Sequence, residues 1–266
     1  MVAPLGWPAR LLCRTVCALD VTWSFEAAIQ DRCAERIETF DYGSALFRSD
    51  LSRVYDENFL RVERGFDHVT ARQLVSDADR LQGVSALGHR KIVIPDEAAG
   101  QRLEGELGQR RFRRSVLVTM AYRGDAPPEP THDVAEVGMA ELRASRLDAF
   151  ISDLHSQAAR QIVAHLELVA SVVPTRAFAV MVDGEAASWC VLYEEGGVGQ
   201  IDDVVTIGRH RRKGYGRAVV LAAVGASLEA GNELTFLVAD DDDWPKQLYA
   251  DIGFEPIGRR YEFTRA

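Results

Sequence analysis

The chain has 266 residues, 47% hydrophobic and 27% charged, with 21 Gly and 9 Pro. That composition suits one large or two small globular domains and excludes a disordered, collagenous or low-complexity chain, while no apolar run reaches the ~18–20 residues of a membrane helix. Lys and Arg number 31 against 40 Asp and Glu, a net charge of −9, so neither nucleic acid nor an anionic membrane is an expected partner.

Residues 1–21 carry an apolar stretch, but Arg14 interrupts it, Asp20 closes it and no clean small-residue cleavage site follows. No secretory leader is expected, and the chain reads as cytoplasmic. Trp23 to Phe40 has helical periodicity, with Phe25, Ile29, Cys33 and Ile37 four apart, and Val69 to Leu81 repeats the pattern. Lys91–Ile94 and Arg114–Ala121 are short and β-branched, as strands are, with a further helix over Glu97–Leu107. Then comes Arg123-Gly-Asp-Ala-Pro-Pro-Glu-Pro-Thr131, a stretch that continues neither a helix nor a central strand. It divides the chain into an expected domain over 1–125, a linker over 126–132 and a domain over 133–266.

The second half alternates more plainly. A strand is expected over Thr131–Val137, helices over Met139–Leu154 and Gln157–Val172, and strands over Arg176–Val182, Ala186–Tyr193 and Val198–Thr206. A helix over Tyr215–Ala230 follows, then a strand over Leu234–Val238, a short helix over Trp244–Ile252 and a last strand or two over Phe254–Phe263. The fold class is α/β with a mixed sheet.

Cys13, Cys17, Cys33 and Cys190 form no CxxC or Cys/His set, and the six His are scattered, so no metal is expected. Only three Lys accompany the many Arg, a bias associated with GC-rich bacterial genomes. Asp240 to Asp243 precede Trp244-Pro245 and are read as a helix N-terminus, with Asp capping. The stretch that carries chemistry is Asp203-Val-Val-Thr-Ile-Gly-Arg-His-Arg-Arg-Lys-Gly-Tyr-Gly-Arg217. Glycines let backbone approach a ligand, and the following helix offers free N–H groups with the positive end of its dipole. Arg211, Arg212, Lys213 and Arg217 add charge, so a pyrophosphate suits the loop; a solvated basic turn is the plain alternative. The spacing is neither GxxxxGK[ST] nor GxGxxG.

Arg211-x-x-Gly214-x-Gly216, between a strand and a helix, resembles the pyrophosphate loop of the GCN5-related N-acetyltransferase (GNAT) superfamily. Leu248-Tyr249-Ala-Asp-Ile-Gly253-Phe254 resembles that family's LYxxxGF segment at its usual distance. The resemblance covers 131–266 and implies acetyl transfer from acetyl-CoA to a primary amine of a small-molecule or peptide acceptor, by direct attack in a ternary complex. It implies that Val204, Val205 and Thr206 bind acetyl-CoA through backbone. Arg211, Arg212, Lys213, Gly214, Tyr215, Gly216 and Arg217 would wrap its pyrophosphate. Asp242 stands where the family has an Asn, and Pro245 where it has a small residue. Tyr249 matches the acid that protonates the departing thiolate; a core aromatic is its other reading. For the base, strand alternation puts Gln200, Asp202, Val204 and Thr206 on one face and Asp203 on the other. Asp202 leads, with Asp203 or a water relay as alternatives. A catalytically silent CoA-binding or regulatory module is the competing function.

Residues 37–123 resemble the same fold faintly, through Val54–Val62 and the helix and strand pattern after it, without an RxxGxG loop. The expected arrangement is thus a tandem of GNAT-like folds. The C-terminal one is complete; the N-terminal one is degenerate, a scaffold or substrate-side wall. Asn58, Phe59 and Arg61 are candidates for the acceptor cleft, with packing the stronger reading of Phe59. Monomer and homodimer are both open.

Overall fold

The computed structural model describes residues 15–85, 87–151 and 156–266. In chain order the first half holds α1 (Thr15–Cys33), β1 (Arg36–Phe40), β2 (Gly43–Phe47), β3 (Phe59–Val62), α2 (Ala71–Val84), β4 (Arg90–Ile94), α3 (Glu97–Gln109) and β5 (Arg113–Tyr122). The second holds β6 (Ala135–Val137), α4 (Met139–Ile151), α5 (Ser156–Val172), β7 (Thr175–Val182), β8 (Glu185–Glu195) and β9 (Val198–Thr206). It continues with α6 (Tyr215–Glu229), β10 (Leu234–Asp240), α7 (Pro245–Ile252) and β11 (Phe254–Arg265). The apolar stretch over residues 1–21, for which no leader is expected, falls largely outside the described residues, as does Cys13. Cys33 and Cys190 are buried free thiols. Among the described residues no helix is long and apolar enough to cross a membrane.

The helix expected over Trp23–Phe40 ends at Cys33, and its last residues are β1 instead. Ile37, which extends the four-residue repeat, is exposed. Pairing of Arg36–Phe40 with Gly43–Phe47 across a tight turn overrides the helical pattern.

Among the described residues all the strands join in one sheet in the order β1-β2-β3-β4-β11-β5-β10-β9-β8-β7-β6. The crossovers β4-α3-β5 and β10-α7-β11 each leave a gap one strand wide, and each gap is filled from the other half. β11 lies antiparallel between β4 and β5, from Tyr261 opposite Ile94 to Phe254 opposite Tyr122. β5 lies antiparallel between β11 and β10, with Phe236 opposite Ala121. The two halves meet on either side of the 126–132 connector, yet they share one hydrogen-bonded ladder.

One face is covered by α2, α3, α6 and α7. Leu74, Leu103 and Tyr261 pack in its first cluster, and Met120, Val220 and Phe254 in its second. On the other face Phe25 and Ile29 of α1, Leu142 of α4 and Val169 of α5 bury Trp189 and Phe236. α1 therefore packs on strands of the second half. Gly100 marks the tightest seat of the exchange, since a Cβ there would lie 2.3 Å from Cγ of Tyr261.

Candidate active site

β9 and β10 run parallel from Val198 opposite Leu234 to Ile201 opposite Leu237, then part. The opening is a cleft of about 240 Å³, lined by 201–205 of β9, 237–240 of β10, Asp243, Pro245 and Tyr249. Its cause is a bulge. Trp189 of β8 stands opposite Val205 and Val191 opposite Asp202, so β9 carries an extra residue there, and Asp203 takes φ 48°.

The extra residue overturns the alternation expected from sequence. Ile201 and Val204 pack in the cluster under α6. Val205 packs with Trp189 on the opposite side. Asp202 acts electrostatically on Glu26 of α1 and His165 of α5, and Asp203 bonds to Arg146 of α4. The two acids thus share a face, and Val204 no longer belongs with Asp202.

They are held differently. Asp203 Oδ2 accepts from Arg146 Nε at 2.8 Å and from Trp189 Nε1 at 2.9 Å. Burial lifts its carboxyl to about 6 against the pull of Arg146. Asp202 is exposed, and its Oδ1 accepts the N–H of Asp203 at 2.7 Å. Among the described residues it has no ion-pair partner.

Tyr249 of α7 borders the same cleft and is 7% exposed. Its ring meets Phe254 edge-on at 6.3 Å. Burial first, then the charges of Cys190, Asp202 and Asp243, raise its hydroxyl well above the ordinary value, so it keeps its proton at neutral pH.

After Thr206 a loop leads from β9 into α6. Gly214 caps the helix at φ 85° with no side-chain cap bond, so the first-turn N–H groups face outward unsatisfied by any side chain. Only a residue without Cβ takes this conformation at no steric cost. Arg212 is also left-handed, at φ 63°. Arg211 Nε reaches Thr206 O at 3.3 Å, Arg217 reaches Asp251 O at 3.4 Å, and Lys213 lies 6.0 Å from the Tyr215 ring. Among the described residues none of these four cations meets a carboxylate, whereas Arg209 is engaged by Asp148 and Glu185.

Other expected residues lie elsewhere. Asp242 does not line the cleft; its carboxylate turns outward to Arg114 Nη2 of β5 at 3.3 Å, and Asp243 borders the cleft instead. Of the acidic run only Asp243 meets the start of α7 through a backbone N–H, its Oδ1 accepting from Trp244 N at 2.7 Å. Trp244 is the N-cap without a side-chain bond, while Asp240 accepts from Asp242 N and Asp241 holds Lys246 and Arg259. Asn58 is buried and spends its amide on Leu51 O and Val54 O. Phe59 is core, and Arg61 clamps Asp31 and Glu63. All three are packing residues.

Sequence reasoning missed Arg146, Trp189 and His132. Arg146 sits four residues after Leu142 on the apolar side of α4 and is fully buried, so a charge on an apolar stripe was the available signal. His132 belongs to the segment after the proline run. Its ring meets Tyr215 edge-on at 4.8 Å, and its Nε2 lies 3.1 Å from where a Cβ on Gly214 would be.

Residues 180–263 match the family model described as FR47-like protein. None of the curated proteins compared matches the sequence significantly. Among solved structures, a conserved Staphylococcus epidermidis protein described as functionally unknown superposes with TM-score 0.69 at 15% identity, covering 87% of this chain and 94% of its own. A GCN5-related N-acetyltransferase from Kribbella flavida gives 0.60 at 18%, covering 93% and 95%. A tandem GNAT protein from the clavulanic acid biosynthesis pathway gives 0.52 at 18%, covering 73% and 69%. The chain thus has the fold of these GCN5-related N-acetyltransferase structures, a tandem GNAT protein among them, with its RxxGxG loop at the N-terminus of α6 and its LYxxxGF segment on α7 and β11.

Proposed function

We propose that the protein transfers an acetyl group from acetyl-CoA to a primary amine by direct attack in a ternary complex. The observation that carries this reading is one cleft, opened where β9 parts from β10, that Tyr249 and Asp202 both border, with β9 leading after Thr206 to an α6 whose N-cap, Gly214, makes no side-chain bond. The residues present suit the cosubstrate. First-turn N–H groups without a side-chain cap and four cations that meet no carboxylate among the described residues suit a pyrophosphate, and the strand edges freed where β9 leaves β10 suit an amide-bearing arm.

Tyr249 is the proton donor to the leaving thiolate, because its buried phenol stays protonated. Asp202 is the base, because its carboxylate is exposed at the cleft, whereas that of Asp203 is consumed by Arg146 and Trp189. The sheet face around Asp202 carries Glu26, Asp56, Glu57 and Glu262 against Lys91, Arg260 and His165. That acidic surplus favours an ammonium on its way in. The acceptor we propose is a small-molecule or peptide amine, and the compartment is the cytoplasm.

Calorimetry with acetyl-CoA is expected to give one site per chain, and a screen of amines to give turnover. Absence of binding, or two sites per chain, defeats the reading.

A further inference from the structure

We propose that Arg146 is a positioning residue, which pins Asp203 in the β9 bulge and thereby opens the cleft and aims the Asp202 carboxylate. The part concerning Asp202 rests on the acetyl-transfer reading above; the part concerning the bulge does not.

Arg146 lies on α4 with no exposed surface, and its partner Asp203 keeps 4% of its side chain exposed. Nε at 2.8 Å, Nη2 at 2.7 Å and Trp189 Nε1 at 2.9 Å all converge on one oxygen, Oδ2 of Asp203. Burying such a pair costs several kcal/mol per ion, and well-packed apolar residues in its place are often neutral or stabilising. Leu142, one turn earlier, shows that α4 packs well with an apolar residue on this side. Stability alone therefore does not call for an arginine here.

The pair does hold a backbone that resists its conformation. Asp203 at φ 48° occupies the left-handed region, which Asp tolerates better than most non-glycine residues but does not favour over the extended backbone of a strand. Two consequences follow from that torsion. The N–H of Asp203 swings onto Oδ1 of Asp202 at 2.7 Å, fixing the direction of a carboxylate that has no other hydrogen-bond or ion-pair partner among the described residues. And β9 leaves the register that binds it to β10 immediately after Ile201, which is where the cleft begins. The anchor is reached from α4, outside the RxxGxG loop and the LYxxxGF segment alike.

The test uses the full chain with Arg146→Leu/Asp203→Asn, which strands no buried charge and keeps a side chain tolerant of the left-handed region. The double variant is expected to fold, with amide exchange at Asp203 at least ~10-fold faster. Its acetyl-CoA affinity, read by calorimetry, should fall ~10–100-fold, and kcat with any amine the wild type accepts should fall as well as KM rising. Arg146→Lys keeps a cation in reach and is expected to restore part of both. A folded double variant with wild-type exchange at Asp203 and wild-type acetyl-CoA affinity overturns the proposal. Should the wild type bind no acetyl-CoA, the acetyl-transfer reading fails, and exchange at Asp203 alone decides whether Arg146 holds the bulge.

Discussion

Two helices begin in the same way and end in different chemistry. α2 follows β3 and leads to the parallel β4; α6 follows β9 and leads to the parallel β10. At α2 the first turn is closed by its own side chains, since Thr70 accepts from Gln73 N at 3.3 Å and Gln73 Oε1 accepts from Thr70 N at 3.0 Å. At α6 the cap is Gly214, which has nothing to offer. The strands differ in parallel: Val62 and Ile94 are fully buried where β3 and β4 end, whereas β9 bulges and parts from β10. On the reading proposed above, a shared frame serves as an anion site or a plain support according to whether the helix satisfies its own amides and whether the strands stay together.

The largest expected effect comes from breaking what the halves share. Removing residues 254–266 takes β11 from between β4 and β5, so both halves should unfold together rather than leave a folded first half. Circular dichroism and limited proteolysis read the outcome, and a protease-resistant first half would show that the exchange is dispensable. Next comes Tyr249→Phe, which should lower turnover ~10²-fold for a lost acid with acetyl-CoA affinity unchanged; steady-state kinetics and calorimetry separate the two. Gly100→Ala forces a methyl against Tyr261 and should cost ~1–3 kcal/mol by urea unfolding, as overpacking does.

Asp203 gives the pH test. Its folded carboxyl is lifted by burial to about 6, above the unfolded reference of ~4. The folded state then binds the proton more tightly, so this contribution is fully present below about 4 and is lost as pH rises through about 6. Asp203→Asn should remove it, seen as a flatter stability profile between those values. The smallest effect is at the closed helix: Thr70→Ala should cost ~1 kcal/mol of stability and leave acetyl-CoA binding alone. Weakened binding in that variant would link the two helix termini after all.

Local structure was the legible part of the sequence. The Arg211–Gly216 loop and the Tyr249 segment sit at a strand–helix junction and on an amphipathic helix, where short-range spacing carries the signal. β9 was readable from Val198 to Thr206, but the bulge was not. No residue type announces that Asp203 takes a positive φ; its cause is Arg146, 57 positions away. For the same reason the face of Asp202 relative to Val204 was misjudged. The exchange of β5 and β11 was invisible because the buried apolar residues Phe254, Ile257, Tyr261 and Phe263 say that a strand is buried, not beside what. Short strands such as β3, buried along its whole length, gave no period to read.

The interlocked crossovers also bear on how the protein is made. Arg113 pairs with Thr264 and Arg114 with Phe263, so the centre of the sheet is a contact between segments made far apart in time on the ribosome. Until β11 is available, the first half carries an open ladder edge on β4 and on β5, the kind of surface that recruits unrelated strands. Folding is then governed by a late, long-range closure rather than by helix formation. This protein should depend more on chaperone shielding during synthesis than a two-domain chain whose halves close separately.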